Sequence, residues 1–213
     1  VCLTFHGLER LASNPEILAL FGYRPWDIAA GRSLVSAFDC GGQTYRSQGT
    51  FHIAGDLRPS DASVLFWALL DSRQAQSVRV PFVTAKAFAS GGRAVVWNVE
   101  TFDERAFDVR ERLNVPVQSE WFNLPKPILD VLRHSLLAPL GIGIEAPARV
   151  AAFVFARHVA FANYSTAPAE IQFTGMAAVP GTLRSDSPKT ALSGDRFFLA
   201  PRSFAYTGVR YAP

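Results

Sequence analysis

A polar segment in the middle of the chain carries a cluster of acidic side chains, at Asp103, Glu104, Asp108 and Glu111. Two carboxyl groups can hydrolyse a glycosidic bond when they face each other across the sugar, about 5 to 10 Å apart. Acids that cluster in a polar segment more often form a solvated surface. We therefore predict no catalytic residue among these four.

A second group of candidates comes with the clearest buried strand in the first part of the chain, residues 94–99. Trp97, Asn98 and Glu100 combine an aromatic ring with hydrogen-bonding groups, as sugar recognition requires. Open α/β sheets bind ligands at the carboxyl ends of their strands. These three residues are the predicted substrate-binding residues. The alternative is core packing for Trp97 and a loop-capping role for Asn98.

The two cysteines, Cys2 and Cys40, are the candidate nucleophiles. An amidotransferase needs its cysteine on a tight strand-to-helix turn, with a histidine and an acid nearby. Cys2 belongs to a strand at the start of the chain, and glycines rather than a helix follow Cys40. The residue pattern favours buried or bridged thiols over catalytic ones, and it leaves open one disulfide or two free thiols.

No metal or cofactor is predicted. The four histidines show no ligand spacing, and the Gly91-Gly92 pair lacks the lysine and the helix of a phosphate-binding loop. Asn163-Tyr164-Ser165 is formally a glycosylation sequon.

Composition excludes several classes of protein. Hydrophobic residues make up 49% of the chain and charged residues 18%, which is typical of a folded globular protein. The net charge of +3 comes from scattered basic residues, so nucleic-acid binding is disfavoured. The chain has no apolar run of about 18 residues, so we expect no membrane span. Its compartment stays open.

The first part of the chain mixes helix and strand patterns. Asn14 and Pro15 begin a predicted helix that ends at Gly22, and a second helix is predicted over 128–137. Residues 31–58 are rich in Gly, Ser, Gln and Arg, which predicts either a long loop or an excursion that packs on a neighbour, with short β pieces at 33–38 and 50–53. Further strands are predicted at 1–6, 78–84 and 94–99.

From Ala148 onward the hydrophobic period changes to two. Short strands separated by turn residues are predicted at 150–156, 158–163, 170–174, 181–184 and 197–211. Such spacing is typical of a small all-β antiparallel sandwich. We place the boundary near 144–147, which gives an α/β domain over 1–146 and a β-sandwich domain over 147–213.

The last third resembles the small C-terminal β-sandwich of many glycoside hydrolases. The resemblance rests on three segments: Arg149 to Phe155, His158 to Ser165, and Leu199 to Tyr206. It implies a fold rather than a substrate.

The first part more loosely resembles the glutamine-amidotransferase-like α/β domain, a flavodoxin-like layer found beside the barrel in some β-galactosidase-type enzymes. Cys2-Leu3-Thr4 with the helix after it, and Gly91 to Val96, carry this resemblance. In such enzymes the domain is structural or oligomer-forming, and the catalytic carboxylates lie on the barrel. The resemblance therefore implies a glycosidase context and transfers no catalytic residue.

Together these patterns predict a non-catalytic accessory region of a glycoside hydrolase. Carbohydrate-binding module and amidotransferase-like enzyme are the alternatives. Val1 to Phe5 read like a strand already under way, so we expect a fragment of a longer chain. The expected partner is the rest of the parent polypeptide or a second copy, met through exposed apolar groups at Trp26, Trp67 and Trp121-Phe122. Carbohydrate is the other expected partner.

Overall fold

Strands dominate the computed structural model, which describes residues 2–70, 78–99 and 124–212, without the side chains of 48–50. The chain divides into two compact units, Val1–Ile128 and Leu129–Pro213. The domain boundary near 144–147 stays a prediction.

Two short helices follow the first strand, β1 (Cys2–Thr4). Helix α1 (Phe5–Arg10) was not predicted; it begins at Phe5, so the predicted strand over 1–6 ends earlier, at Thr4. Helix α2 (Pro15–Phe21) confirms the prediction from Asn14, Pro15 and Gly22. The Asn14 side chain accepts a hydrogen bond from the Ile17 amide at 3.1 Å, and Gly22 ends the helix with a φ of 82°.

The first unit contains a six-stranded sheet in the order β1-β6-β5-β4-β2-β3. Its other strands are β2 (Ile28–Cys40), β3 (Gln43–Leu57), β4 (Ser63–Leu70), β5 (Val78–Ala87) and β6 (Arg93–Trp97). The β1–β6 pair is parallel, and the other pairs between these strands are antiparallel. This mainly antiparallel sheet differs from the parallel sheet that is typical of an α/β layer.

The loop predicted over 31–58 is wrong, because β2 and β3 form one long antiparallel hairpin. Gly41 and Gly42, with φ of 57° and 83°, supply its turn. Irregularities between Ala30 and Ser33, and between Val35 and Ala37, interrupt the alternation of side chains. Among the polar residues that suggested a loop, Arg32, Gln43 and Arg46 occupy exposed positions of these strands.

Helices α1 and α2 pack on one face of this sheet through Phe5, Leu8, Leu18 and Phe21. Phe5 lies against Gly55 so closely that a Cβ there would come within 2.3 Å of its ring. Any larger residue at this point of β3 would displace α1.

Helix α3 (Lys126–Leu137) is held to the chain that follows it. The Arg133 guanidinium donates to the carbonyls of Ala146, Pro147 and Val150 and to the Asp130 carboxylate. Burial lowers the pKa of Arg133, and the Asp130 carboxylate opposes that shift. One arginine thus donates hydrogen bonds to three backbone carbonyls in the segment that leads from α3 into the strands.

From β7 onward the second unit forms two antiparallel sheets around one core, as the change of period predicts. One sheet has the order β13-β14-β10-β7, and the other has β11-β15-β9-β8 with β12 also paired to β15. The strands are β7 (Gly143–Glu145), β8 (Val150–Val154), β9 (His158–Asn163), β10 (Ala169–Thr174), β11 (Met176–Ala178), β12 (Arg184–Ser185), β13 (Ala191–Ser193), β14 (Arg196–Leu199) and β15 (Phe204–Tyr211).

Two strand predictions in this unit need correction. The strand predicted over 197–211 is two strands, because Pro201 and Arg202 form a turn between β14 and β15. Arg202 adopts a φ of 48° in that turn. The strand predicted over 181–184 is limited to Arg184–Ser185.

Candidate functional site: an aromatic sheet face

The predicted substrate-binding residues lie at and after the end of β6. Trp97 is half-buried and packs edge-to-face on Phe82, with ring centroids 6.3 Å apart. Asn98 is completely buried. Glu100 lies outside the described residues. Sugar binding by the three together stays a prediction.

The Asn98 amide is used inside the protein. Its Nδ2 donates to the carbonyls of Gly55 at 2.7 Å and Pro81 at 3.0 Å. Its Oδ1 accepts from the Gly55 amide at 3.2 Å. These bonds join the end of β6 to β3 and β5, so Asn98 has a structural role here.

Neither cysteine has the surroundings of an activated nucleophile. Both are free thiols. Desolvation raises the pKa of each thiol, and the Asp39 carboxylate raises that of Cys40 further. A raised pKa leaves little thiolate near neutral pH.

Asn163 of the sequon is buried. Its Nδ2 donates to the carbonyls of Ala167 and Ala200 at 2.8 and 2.9 Å, so this side chain organises a turn.

Within the described ranges, no group of three or more His, Cys, Asp or Glu residues suits a metal ion. Likewise, none of the described helices is long and apolar enough to cross a membrane.

The predicted exposed apolar groups are found in different surroundings. Trp26 is 73% exposed, with the Arg24 guanidinium 5.8 Å from its ring. Trp67 is half-buried, with the Arg79 guanidinium 4.8 Å from its ring centroid. Trp121-Phe122 lies outside the described residues.

A shallow depression lies in the first unit, lined by residues 61–63 and 85–87. Its cation, Lys86, pairs with Asp61 at 2.8 Å and donates to the Ala19 carbonyl at 2.7 Å. Lys86 of β5 thus contacts both α2 and the segment before β4, which is a structural use of the charge.

The feature that stands out is the outer face of the β11-β15-β9-β8 sheet. Side chains alternate along each strand, so residues that pair across the ladder share a face. Three rows of paired residues cross this face, each running from β8 over β9 to β15. Five residues of these rows carry aromatic rings: Phe153, Phe155, His158, Phe204 and Tyr206. We call the surface that they form the aromatic face.

The rows are defined by register. Phe153 and Tyr206 both pair with Ala160 of the central strand β9. Phe204 pairs with Ala162, and the Phe155 amide donates to the His158 carbonyl where β8 turns into β9. Ala160 therefore lies between rings on both neighbouring strands, whereas Ala162 lies between Phe204 and Ala151.

The rings of this face cluster while each stays substantially exposed. Phe153, Phe155, Phe204 and Tyr206 are 44%, 57%, 42% and 42% exposed. Ala160 and Ala162 are only 6% and 8% exposed although they face outward, because the larger neighbours cover them. The face is a continuous apolar surface of the kind that marks an interaction site.

The outer face of the opposite sheet serves as a reference. We call it the polar face; it carries Glu145, Glu170, Gln172, Thr174, Arg196 and one ring, Phe198. Arg196 pairs with Glu170 at 2.8 Å, and Gln172 bonds to Asp195 at 3.2 Å. The same sandwich thus has an ordinary polar surface on one side and an aromatic one on the other.

No family model matches the sequence, and no curated protein matches it. Among solved structures, the chain is similar to a catalytic mutant of Gan42B, a GH42 β-galactosidase from G. stearothermophilus, with 12% identity and a TM-score of 0.34. It is also similar to a β-galactosidase from Bacillus circulans sp. alkalophilus, with 13% identity and a TM-score of 0.37.

These similarities cover 91% of this chain in both cases, but only 24% and 25% of the two enzymes. The chain therefore spans about a quarter of the length of the enzymes it matches. Scores this low transfer neither activity nor substrate.

Sequence reasoning missed the aromatic face. The pattern was present, since Phe153 and Phe155, and Phe204 and Tyr206, alternate with core positions. Alternation alone does not say which of the two sets faces inward when both are apolar. The register shows which residues share a face, and the burial of Val159, Phe161 and Ala205 in the core shows that the rings lie on the other one.

Proposed function

We propose that this chain is a non-catalytic accessory region of a carbohydrate-active glycoside hydrolase, and that it works by forming contacts through the aromatic face. One observation carries the proposal. The three segments that resemble glycoside hydrolase sandwiches include β8, β9 and, after the end of β14 and a turn, the start of β15; β8, β9 and β15 are neighbours in one sheet. The resemblance and the aromatic face therefore fall on the same strands.

The relation of the first unit to an amidotransferase-like layer is the finer part of this proposal. Its support is the parallel pairing of β1 with β6, the two strands on which that resemblance rests. Helices α1 and α2, which follow β1, pack on the sheet. The raised pKa values of Cys2 and Cys40 favour a structural layer over a thiol enzyme.

Hydrolysis of aryl-glycosides tests the non-catalytic role. The chain is expected to release no aryl alcohol from a panel of aryl-glycosides above the rate without protein. Glu100→Gln and Asp103→Asn variants are the matched controls, since these acids lie at the predicted sugar site and in the acidic cluster. Turnover that either substitution abolishes would contradict the proposal.

Carbohydrate binding is the second candidate function. Sugar recognition combines aromatic rings with hydrogen-bonding groups, and the aromatic face supplies rings with the Tyr206 hydroxyl and the His158 imidazole among them. Retardation of the chain in polysaccharide-containing gels tests this candidate. Unretarded migration in every gel of a panel would count against it.

A further inference from the structure

Arginines surround the aromatic face. Arg184 of β12 pairs with Tyr206 in the ladder, so the two side chains share a face. Arg210 lies on the same face of β15, four residues beyond Tyr206. Arg157 lies in the turn between β8 and β9, next to His158.

These three arginines are exposed, and none forms an ion pair with an acid in the described parts of the chain. Arg184 uses only its Nη1, which donates to the carbonyls of Gly181 and Leu183. The polar face differs, because its Arg196 is paired with Glu170. Cationic groups without acid partners thus collect on the aromatic side of the sandwich.

We propose that the aromatic face binds a single soluble chain of a uronic-acid polysaccharide. The apolar faces of its sugar rings would lie against Phe153, Phe204 and Tyr206. Its carboxylates would meet Arg184 and Arg210, because the planar guanidinium matches a carboxylate with two parallel hydrogen bonds. This inference rests on the carbohydrate context of the proposed function and names the ligand class.

Ring geometry favours a separate chain over a flat crystalline surface. The Phe204 and Tyr206 rings are 6.3 Å apart and tilted by 47°, and the His158 ring is 6.5 Å from Tyr206 at 68°. A flat array of sugars needs coplanar rings, whereas a flexible chain can turn each sugar to its own ring.

Charge argues against a second copy as the occupant. Two aromatic faces in contact would place two surfaces together that each carry Arg184 and Arg210, without acid partners among the described residues. Like charges placed together across an interface oppose association. An anionic ligand instead offers carboxylates with which Arg184 and Arg210 can pair.

Affinity electrophoresis tests the proposal with polygalacturonate in the gel. Methyl-esterified polygalacturonate, with the same backbone but no charge, is the matched ligand control. We expect retardation by polygalacturonate and little by the ester. Tyr206→Ala and Arg184→Gln should each weaken binding about tenfold, as loss of an interface anchor does. Phe198→Ala and Arg196→Gln, on the polar face, should leave it unchanged.

Three results would overturn the proposal. One is no retardation by polygalacturonate. Another is equal retardation by dextran sulfate that persists in Tyr206→Ala, and the last is a dimer in light scattering that Tyr206→Ala dissociates. The first result would show that the polysaccharide does not bind, and the second that only the overall charge attracts it. The third would show that a second copy of the chain occupies the aromatic face. Circular dichroism melts establish that each variant is folded. The aryl-glycoside assay is independent, so failure of this proposal is distinguishable from failure of the proposed function.

Discussion

The rings of Phe204 and Tyr206 lie 6.3 Å apart on the outer face of β15, and each pairs across the ladder with an alanine of β9. Between them Ala205 points inward and is completely buried in the core of the second unit. At these three positions β15 presents a small residue to the core and large rings to solvent, the reverse of what packing alone favours. Stability does not explain this arrangement, whereas a contact surface does.

The first prediction separates surface from core. Tyr206→Ala should cost about 1 kcal/mol of unfolding free energy or less, because the ring is 42% exposed and loses only its contact with neighbours such as Ala160. Phe161→Ala removes a ring that is completely buried on neighbouring β9, and should cost about 3 to 5 kcal/mol. Urea unfolding of both variants measures this. Equal destabilisation would show that the Tyr206 ring serves packing.

A second prediction concerns Asn98. Substitution by alanine leaves the Gly55 amide and the Gly55 and Pro81 carbonyls without their partner. We expect a loss of about 3 kcal/mol of unfolding free energy, the cost of buried unsatisfied polar groups. Asn14→Ala is the control: it removes an exposed helix cap and should cost about 1 kcal/mol. A neutral Asn98→Ala would refute the structural role and reopen the predicted sugar site.

The third prediction is a pH dependence from Tyr23. Burial raises the pKa of its phenol, the Asp27 carboxylate adds to this, and the 2.6 Å hydrogen bond to Thr84 opposes it. The unfolded chain then loses this proton first, at a pH of about 10. The stabilisation is present below that pH and is lost as pH rises toward the folded pKa.

Unfolding of Tyr23→Phe in urea at pH 8 to 11 checks this dependence. The variant should be less stable at pH 8, because the Thr84 hydroxyl loses its partner. Its stability should fall less above pH 10 than that of the unaltered protein. Parallel curves for the two proteins would contradict the assignment.

The fourth prediction concerns the sequon. When the chain passes through a eukaryotic secretory pathway and folds, Asn163 should carry no glycan, because its amide is buried and bonded to two carbonyls. Intact mass spectrometry measures this. In Asn163→Asp, a carboxylate would face the Ala167 and Ala200 carbonyls, and unfolding should become easier by about 1 to 3 kcal/mol. A fully glycosylated and stable protein would contradict the description of this turn.

Local patterns predicted some elements well. Helix α2 is delimited by Asn14, Pro15 and Gly22, and β9 spans the predicted His158 to Asn163. Both depend on neighbours in sequence, through caps or strict alternation. The hairpin of β2 and β3 was missed because its irregularities break the period and its exposed positions resemble a loop.

Other features depend on residues distant in sequence. The role of Asn98 is set by Gly55, 43 positions away. The aromatic face is set by the register of β8, β9 and β15. The first unit's sheet is mainly antiparallel because of pairings between β2, β4 and β5, which no short motif encodes. Sequence patterns therefore predict single elements here, but not the surface those elements build together.

Hydroxyl-radical footprinting of the chain with and without polygalacturonate tests most directly whether the aromatic face is the contact surface. Oxidation of Phe153, Phe204 and Tyr206 should fall when the polysaccharide is present, while that of Phe198 on the polar face stays the same. Unchanged oxidation at all four rings, or protection of Phe198 to the same degree, would contradict the account.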